Sequence, residues 1–156
     1  MEVTIRKATM KDIPSVLKLW MKLMEFHHTL SIHFELANDA EIVWESYIRE
    51  QLDEQNFLLI VAEVSGNIIG FSLVSIQSNI PVFKIKEYGV IYDFFVEEAF
   101  RRRGIGRKIF AFARKWFEQK GVENLQVSAA HNNPIAQGFW HAMGFTNYLD
   151  RLSRGI

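Results

Sequence analysis

Tyr92-Asp93-Phe94-Phe95-Val96-Glu97-Glu98-Ala99-Phe100-Arg101-Arg102-Arg103-Gly104-Ile105-Gly106 is the stretch that decides the fold. Tyr92 to Val96 form an apolar, strand-like run, and Arg101 to Gly106 form a basic turn with two glycines. Ile105, Ile109, Phe112, Ala113 and Trp116 then recur at helical spacing, so the turn joins a strand to the start of a helix. At such a junction the first helical N–H groups have no partner and the helix dipole is positive. Gly104 and Gly106 lack a Cβ, so a ligand can approach the backbone. The arrangement suits an anion, a phosphate or pyrophosphate above all. A plain helix start with a solvated basic run is the competing reading.

Upstream, Phe57 to Ala62 is an apolar run that reads as a buried strand, Ser65-Gly66-Asn67 is a turn, and Ile68 to Val74 is the return strand. Gln77 to Lys86 contains Pro81 and reads as a loop, and Gly89 to Val96 is a third long strand. Nearer the amino terminus, Val3 and Ile5 alternate with polar residues as a short first strand would. Thr9 or Asp12 can cap a helix with Pro14 in its first turn and an apolar row of Ile13, Val16, Leu17, Trp20 and Met24 that brings His27 to the buried stripe. A second helix is predicted from Asp39 to Asp53, with Trp44, Ile48 and Leu52 as its inner row. Downstream, Leu125 to Ala129 reads as a strand and Asn132-Asn133-Pro134 as a helix start. Gly144 ends that helix, and Phe145 to Leu149 reads as a last short strand. The predicted order is β-α-α-β-β-β-α-β-α-β, with a right-handed parallel crossover from Gly89 to Ala129.

A chain of 156 residues with 49% hydrophobic residues can build a real core, so one domain over residues 1–156 is expected. It has no cysteine, which excludes disulfides, a thiolate nucleophile and a Cys-ligated metal, and inclines the reading toward the cytoplasm. No His, Asp and Glu grouping has metal-ligand spacing, no apolar run reaches the ~20 residues of a membrane span, and the amino terminus lacks the apolar core of a signal peptide. Lys plus Arg and Asp plus Glu both number 18, which disfavours nucleic acid as a partner. The charge is nevertheless segregated. Acids dominate from Glu35 to Glu63, where Arg49 is the lone base, and Arg101 to Lys115 holds seven bases and no acid. This favours a cationic and an anionic ligand, with ordinary solvated helix surfaces as the alternative.

Phe94-Phe95-Val96 followed by Arg101-x-x-Gly104-x-Gly106 resembles the acyl-CoA-binding motif of the GNAT superfamily of N-acetyltransferases. A second signature follows in the expected order, Asn133-x-x-Ala136-x-x-Phe139-Trp140-x-x-x-Gly144-Phe145. The resemblance covers Val3 to about Tyr148. It implies an α/β fold (α+β in some schemes): a mixed, mainly antiparallel sheet of six to seven strands with about four helices, splayed at the acyl-CoA site. It also implies an N-acetyltransferase that moves acetyl from acetyl-CoA to a primary amine in a ternary complex, without metal. Homodimers are common in the superfamily. The competing reading is a catalytically weak acyl-CoA-binding module.

The resemblance carries roles over to particular residues. The loop from Arg101 through Arg102, Arg103, Gly104, Ile105, Gly106 and Arg107 would hold the CoA pyrophosphate. The backbone of Phe94, Phe95 and Val96 would pair with the pantetheine arm, with Asn133 and Phe139 beside it, and the Val96 amide would donate to the thioester carbonyl. Many members have a tyrosine acid where this chain has Trp140, whose N–H does not usefully ionise. Tyr92, Tyr148 or water are the remaining candidates for that proton. Asp93, an acid within an apolar strand, is the candidate base or ammonium partner, the alternative being a strand acid paired with an Arg. The run Tyr92 to Val96 has a local likeness to the diamine and polyamine branch, which usually has another acid where Tyr92 stands. His27, His28 and Glu35 would line the acceptor side.

Overall fold

A computed structural model describes residues 1–156. The strands are β1 (Thr4–Lys7), β2 (Phe57–Val64), β3 (Asn67–Ser78), β4 (Glu87–Val96) and β5 (Leu125–Val127). The helices are α1 (Ile13–Leu30), α2 (Ala40–Gln51), α3 (Ile105–Gln119) and α4 (Pro134–Ala142). The sheet order is β1-β2-β3-β4-β5, antiparallel up to β4 and parallel between β4 and β5. Ser65 and Gly66, both at positive φ, make the two-residue turn between β2 and β3.

Five strands form rather than the expected six to seven. Phe145 to Leu149 does not become a strand. Phe145 turns inward onto Trp140 at 5.4 Å and Phe110 at 5.7 Å, and Tyr148 and Leu149 stay exposed. Its neighbour in the sheet would be β5, whose three residues offer little ladder to extend. The other expected elements form, with α2 ending at Gln51 and β3 running on to Ser78.

The sheet divides the apolar interior in two. Leu59, Val61, Phe71, Leu73 and Phe95 face Trp20, Leu23, Trp44 and Ile48 of α1 and α2. Ile60, Val74, Ile76 and Ile91 face Ile109, Phe117 and Trp140 of α3 and α4. Phe95 and Ile91 are an even number of residues apart, so a regular strand would send both to the same side. They reach opposite cores because the register shifts between Leu73 and Val74: Leu73 opposes Asp93 and Val74 opposes Ile91. Tyr92 is the extra residue of this β-bulge. Its insertion turns Asp93 to the α1–α2 face.

Two polar constructions fasten the amino-terminal elements. Arg6 of β1 binds Asp12 through both terminal nitrogens, at 2.8 and 2.9 Å, and also Glu63 of β2 at 2.7 Å. Asp12 further accepts the Thr9 backbone N–H at 2.7 Å ahead of α1. The Arg6 guanidinium holds the Asp12 carboxyl down at about 2.

Candidate active site

β4 pairs with β5 only from Gly89 to Ile91. Beyond that point, past the bulged Tyr92, Asp93 to Val96 keep β3 on one side and have no strand on the other. The Glu97 N–H crosses to the Ile69 carbonyl of β3 at 2.8 Å. Strand alternation therefore turns the Val96 and Phe94 N–H groups toward the unpaired edge. The Arg101 Nε donates to the Val96 carbonyl at 2.8 Å, and its guanidinium lies 5.5 Å from the centre of the Phe95 ring. Arg101 thus closes the end of the strand, and the Val96 N–H stays open.

The basic turn leads into α3. Gly104 is its N-cap at φ +77 and supplies no side-chain cap, so the first-turn amides have no protein acceptor. Arg102, also at positive φ, Arg107 and Lys108 form no ion pair with any carboxylate. Arg103 lies over Phe100 at 6.0 Å. The two glycines do different work. A Cβ on Gly104 would meet only open space, so its left-handed backbone is what demands glycine. A Cβ on Gly106 would come within 3.1 Å of the Phe139 ring, so Gly106 lets α3 close onto α4 and Phe94. Ile105 is buried in the core and contributes only its backbone to the turn.

Asn133 caps α4, its side-chain oxygen accepting the Ala136 N–H at 3.2 Å. It is a buried residue, and its amide nitrogen donates to no protein atom and is not sealed from solvent. The cap and a free donor thus coexist in one side chain. Phe139 packs on Phe94 at 5.3 Å. Trp140 is the hub of that cluster, 5.0 Å from Phe94, 4.8 Å from Phe139 and 6.0 Å from Phe110. Its place is explained by packing.

Asp93 lies opposite Leu73 with no Arg, Lys or His paired to it. The side chain keeps a window to solvent but is crowded by protein, and burial raises the carboxyl to about 6. The Trp44 indole N–H of α2 offsets part of that rise, although it makes no full hydrogen bond with the carboxyl. The bulge also frees the Asp93 carbonyl, which accepts the hydroxyl of fully buried Ser72 at 2.9 Å. Tyr92 is half exposed. Tyr47, one turn after Trp44, sits edge-on to Phe57 at 6.2 Å, and its phenol is raised by burial and then by the charges of Tyr92 and Asp93. Trp44, Tyr47 and Ser72, which the structure brings around Asp93, are not among the residues the sequence singles out for the site. Trp44 belonged visibly to the inner row of α2, and Tyr47, at i+3, was legible only as its neighbour.

The acceptor-side residues are less closely gathered. His27 is half-buried, 5.0 Å from the Phe34 ring, and burial pushes its pKa down. His28 and Glu35 are exposed and make no hydrogen bond through their side chains. Asn132 donates to the Leu30 carbonyl at 2.9 Å, which ties the end of α1 beside the start of α4. Tyr148 is exposed on the carboxy-terminal segment and makes no hydrogen bond through its hydroxyl. Glu97, just past β4, is bound by Lys22 of α1 at 2.6 Å. No group of His, Asp and Glu could hold a metal ion, and no helix is long and apolar enough to cross a membrane.

The chain belongs to the Acetyltransferase (GNAT) family, which matches residues 18–145. Among curated proteins it is similar to the uncharacterized N-acetyltransferase YhfO of Bacillus subtilis, 22% identical over 92% of this chain and 89% of that protein. It is also similar to the uncharacterized N-acetyltransferase MJ1207 of Methanocaldococcus jannaschii, 27% identical over 91% of this chain and 60% of that protein. Among solved structures, the BH1408 tetramutant of Bacillus halodurans superposes with a TM-score of 0.83 at 19% identity, over 98% of this chain and 99% of that one. The aminoglycoside acetyltransferase AAC(6')-Iy, in complex with a bisubstrate analogue of CoA and acetylneamine, superposes with a TM-score of 0.79 at 20% identity, over 100% and 99%. At these identities the structural likeness shows the fold.

Proposed function

We propose that the protein transfers the acetyl group of acetyl-CoA to a primary amine by direct attack in a ternary complex. The observation that carries this reading is the end of β4. Its backbone edge is unpaired from Tyr92 to Val96, and it runs straight into a helix start surrounded by bases with no acid to balance them. The first-turn amides of α3 with Arg102, Arg103 and Arg107 suit the pyrophosphate. The free edge suits a pantetheine arm lying as an added strand, with the spare Asn133 amide beside it.

Chemistry follows from the two faces of that strand. The Val96 N–H donates to the thioester oxygen, where negative charge grows as the amine nitrogen bonds to the carbonyl carbon. Asp93, on the α1–α2 side, accepts the proton that nitrogen must shed, directly or through a water. The carbon–sulfur bond then breaks, leaving an amide and the CoA thiolate, with Tyr92 or water to return a proton to sulfur. A carboxyl at about 6 is ionised at neutrality, and it takes the proton as bonding to the carbonyl carbon makes the nitrogen more acidic.

Acetyl-CoA-dependent release of free thiol across a panel of primary amines tests the activity. Gly104→Val tests the donor site, because a β-branched residue is strained at φ +77. Acetyl-CoA should then bind about tenfold more weakly or worse by calorimetry. Unchanged affinity would overturn the loop assignment, and tight acetyl-CoA binding without turnover of any amine would favour a binding module.

A further inference from the structure

The environment of Asp93 restricts what kind of amine can be the acceptor, provided the acetyl-transfer reading holds. Its carboxylate is crowded by protein, and no cationic side chain balances it. A neighbouring acid at the end of the same strand is already occupied, since Glu97 is bound by Lys22 at 2.6 Å, and on α2 Glu45 is bound by Arg49 at 2.7 Å. Those two acids are therefore less available to a second ammonium on the acceptor.

The walls are aromatic. Register puts Leu73 and Asp93 in one cross-strand row, with Phe71 and Phe95 in the next row and Ser75 and Val90 in the row on the other side. Trp44 packs edge-on to Phe71 and Tyr47 edge-on to Phe57, which pairs with Ser75. The two α2 rings thus straddle the Asp93 row. Trp44 is fixed by stacking on Trp20 at 4.9 Å and 18°. Tyr47 is not, and it is 45% exposed while Tyr92 on the bulge is 51% exposed, so both side chains are open to solvent, and the Tyr47 phenol feels the charges of Tyr92 and Asp93. An ammonium is drawn both to a carboxylate and to the faces of such rings, and the carbon body beside it gains by covering them.

The geometry points to an acceptor of one class: a primary amine bearing a single positive charge on an aromatic or apolar body, with its ammonium at Asp93 and its body between Tyr47 and Tyr92. Tyr47 then determines specificity. Polycations and heavily hydroxylated amines need several acids and hydrogen-bonding groups close together, and beside Asp93 the side chains are mainly aromatic.

Thiol release should be measured with 2-phenylethylamine, spermidine and neamine at saturating acetyl-CoA. The expected result is kcat/KM for 2-phenylethylamine about tenfold or more above the other two. Tyr47→Ala should raise its KM about tenfold with little change in kcat or in acetyl-CoA affinity, and Tyr47→Phe should restore the KM. A preference for spermidine or neamine, or an unchanged KM in Tyr47→Ala, would overturn the inference while leaving the acetyl-transfer reading intact. Saturation-transfer NMR of 2-phenylethylamine on the acetyl-CoA-bound protein separates the two in the other direction. Binding that needs Tyr47 and Asp93 without any thiol release would uphold the pocket and refute the transfer, and absence of binding would overturn the pocket.

Discussion

At Asp93 the cost of ionisation falls on the folded state. The native carboxyl titrates at about 6, against 3.8 for the unperturbed group. Below the lower value both states are protonated and no penalty arises. As pH climbs from about 4 to about 6 the unfolded chain ionises first, so stability falls by on the order of 2 kcal/mol. Asp93→Asn should therefore be more stable than the parent at pH 8 and lose that advantage at pH 4, as read by thermal melting at both values. The same substitution should abolish the acid limb of kcat/KM near pH 6, leaving a rate that follows only the free-amine fraction. An unchanged limb would clear Asp93 of proton transfer. Trp140 works through volume instead. Trp140→Ala should cost about 3–5 kcal/mol by denaturant titration, because the hub of four aromatic neighbours would be hollowed out. The acid in its apolar strand and the tryptophan in its motif were both legible in the sequence. What Asp93 meets was not, since Trp44 and Tyr47 lie more than forty positions away along the chain.

Elements that announce themselves by local chemistry were read well. Asn133 and Pro134 start α4, Gly144 follows it at φ +96, and Ser65-Gly66 turns the hairpin. The bulge at Tyr92 has no such local signature, because it is defined by the partner strand: only when β3 is laid beside β4 does the parity of Phe95 and Ile91 conflict. The final strand failed for a related reason. Phe-Thr-Asn-Tyr-Leu has strand composition, but its fate is decided by how much of β5 is available and by the pull of the aromatic cluster on Phe145. At this scale the Arg6, Asp12 and Glu63 construction joins β1, β2 and the start of α1. Asp12 is held at about 2, below its ordinary value, so its contribution is complete above about pH 4 and is lost as pH falls toward 2. Asp12→Ala should then destabilise the fold by about 2 kcal/mol at pH 7 and by much less at pH 2, measured by chemical denaturation.

Across the whole molecule charge and interior are both partitioned. The bases at the start of α3 have no internal acids, so acetyl-CoA affinity should weaken as ionic strength rises from about 0.05 to about 0.5 M, and Arg102→Ala with Arg107→Ala should flatten that dependence. A salt response unaltered in the double variant would exclude these residues from the anion site. The two interiors on either side of the sheet have a further consequence. The loop, α3 and α4 pack on one of them, while Trp44 and Tyr47 hang from the other, and apart from the Asn132 hydrogen bond to the Leu30 carbonyl the two are joined through β-strands whose backbones are already fixed by pairing. Changes on opposite sides should be close to additive in their effect on stability. On the proposed reading, a lineage of such proteins can vary the half that would choose the recipient while the half that would grip the carrier is inherited intact, so that new specificities arise without relearning how to hold the donor.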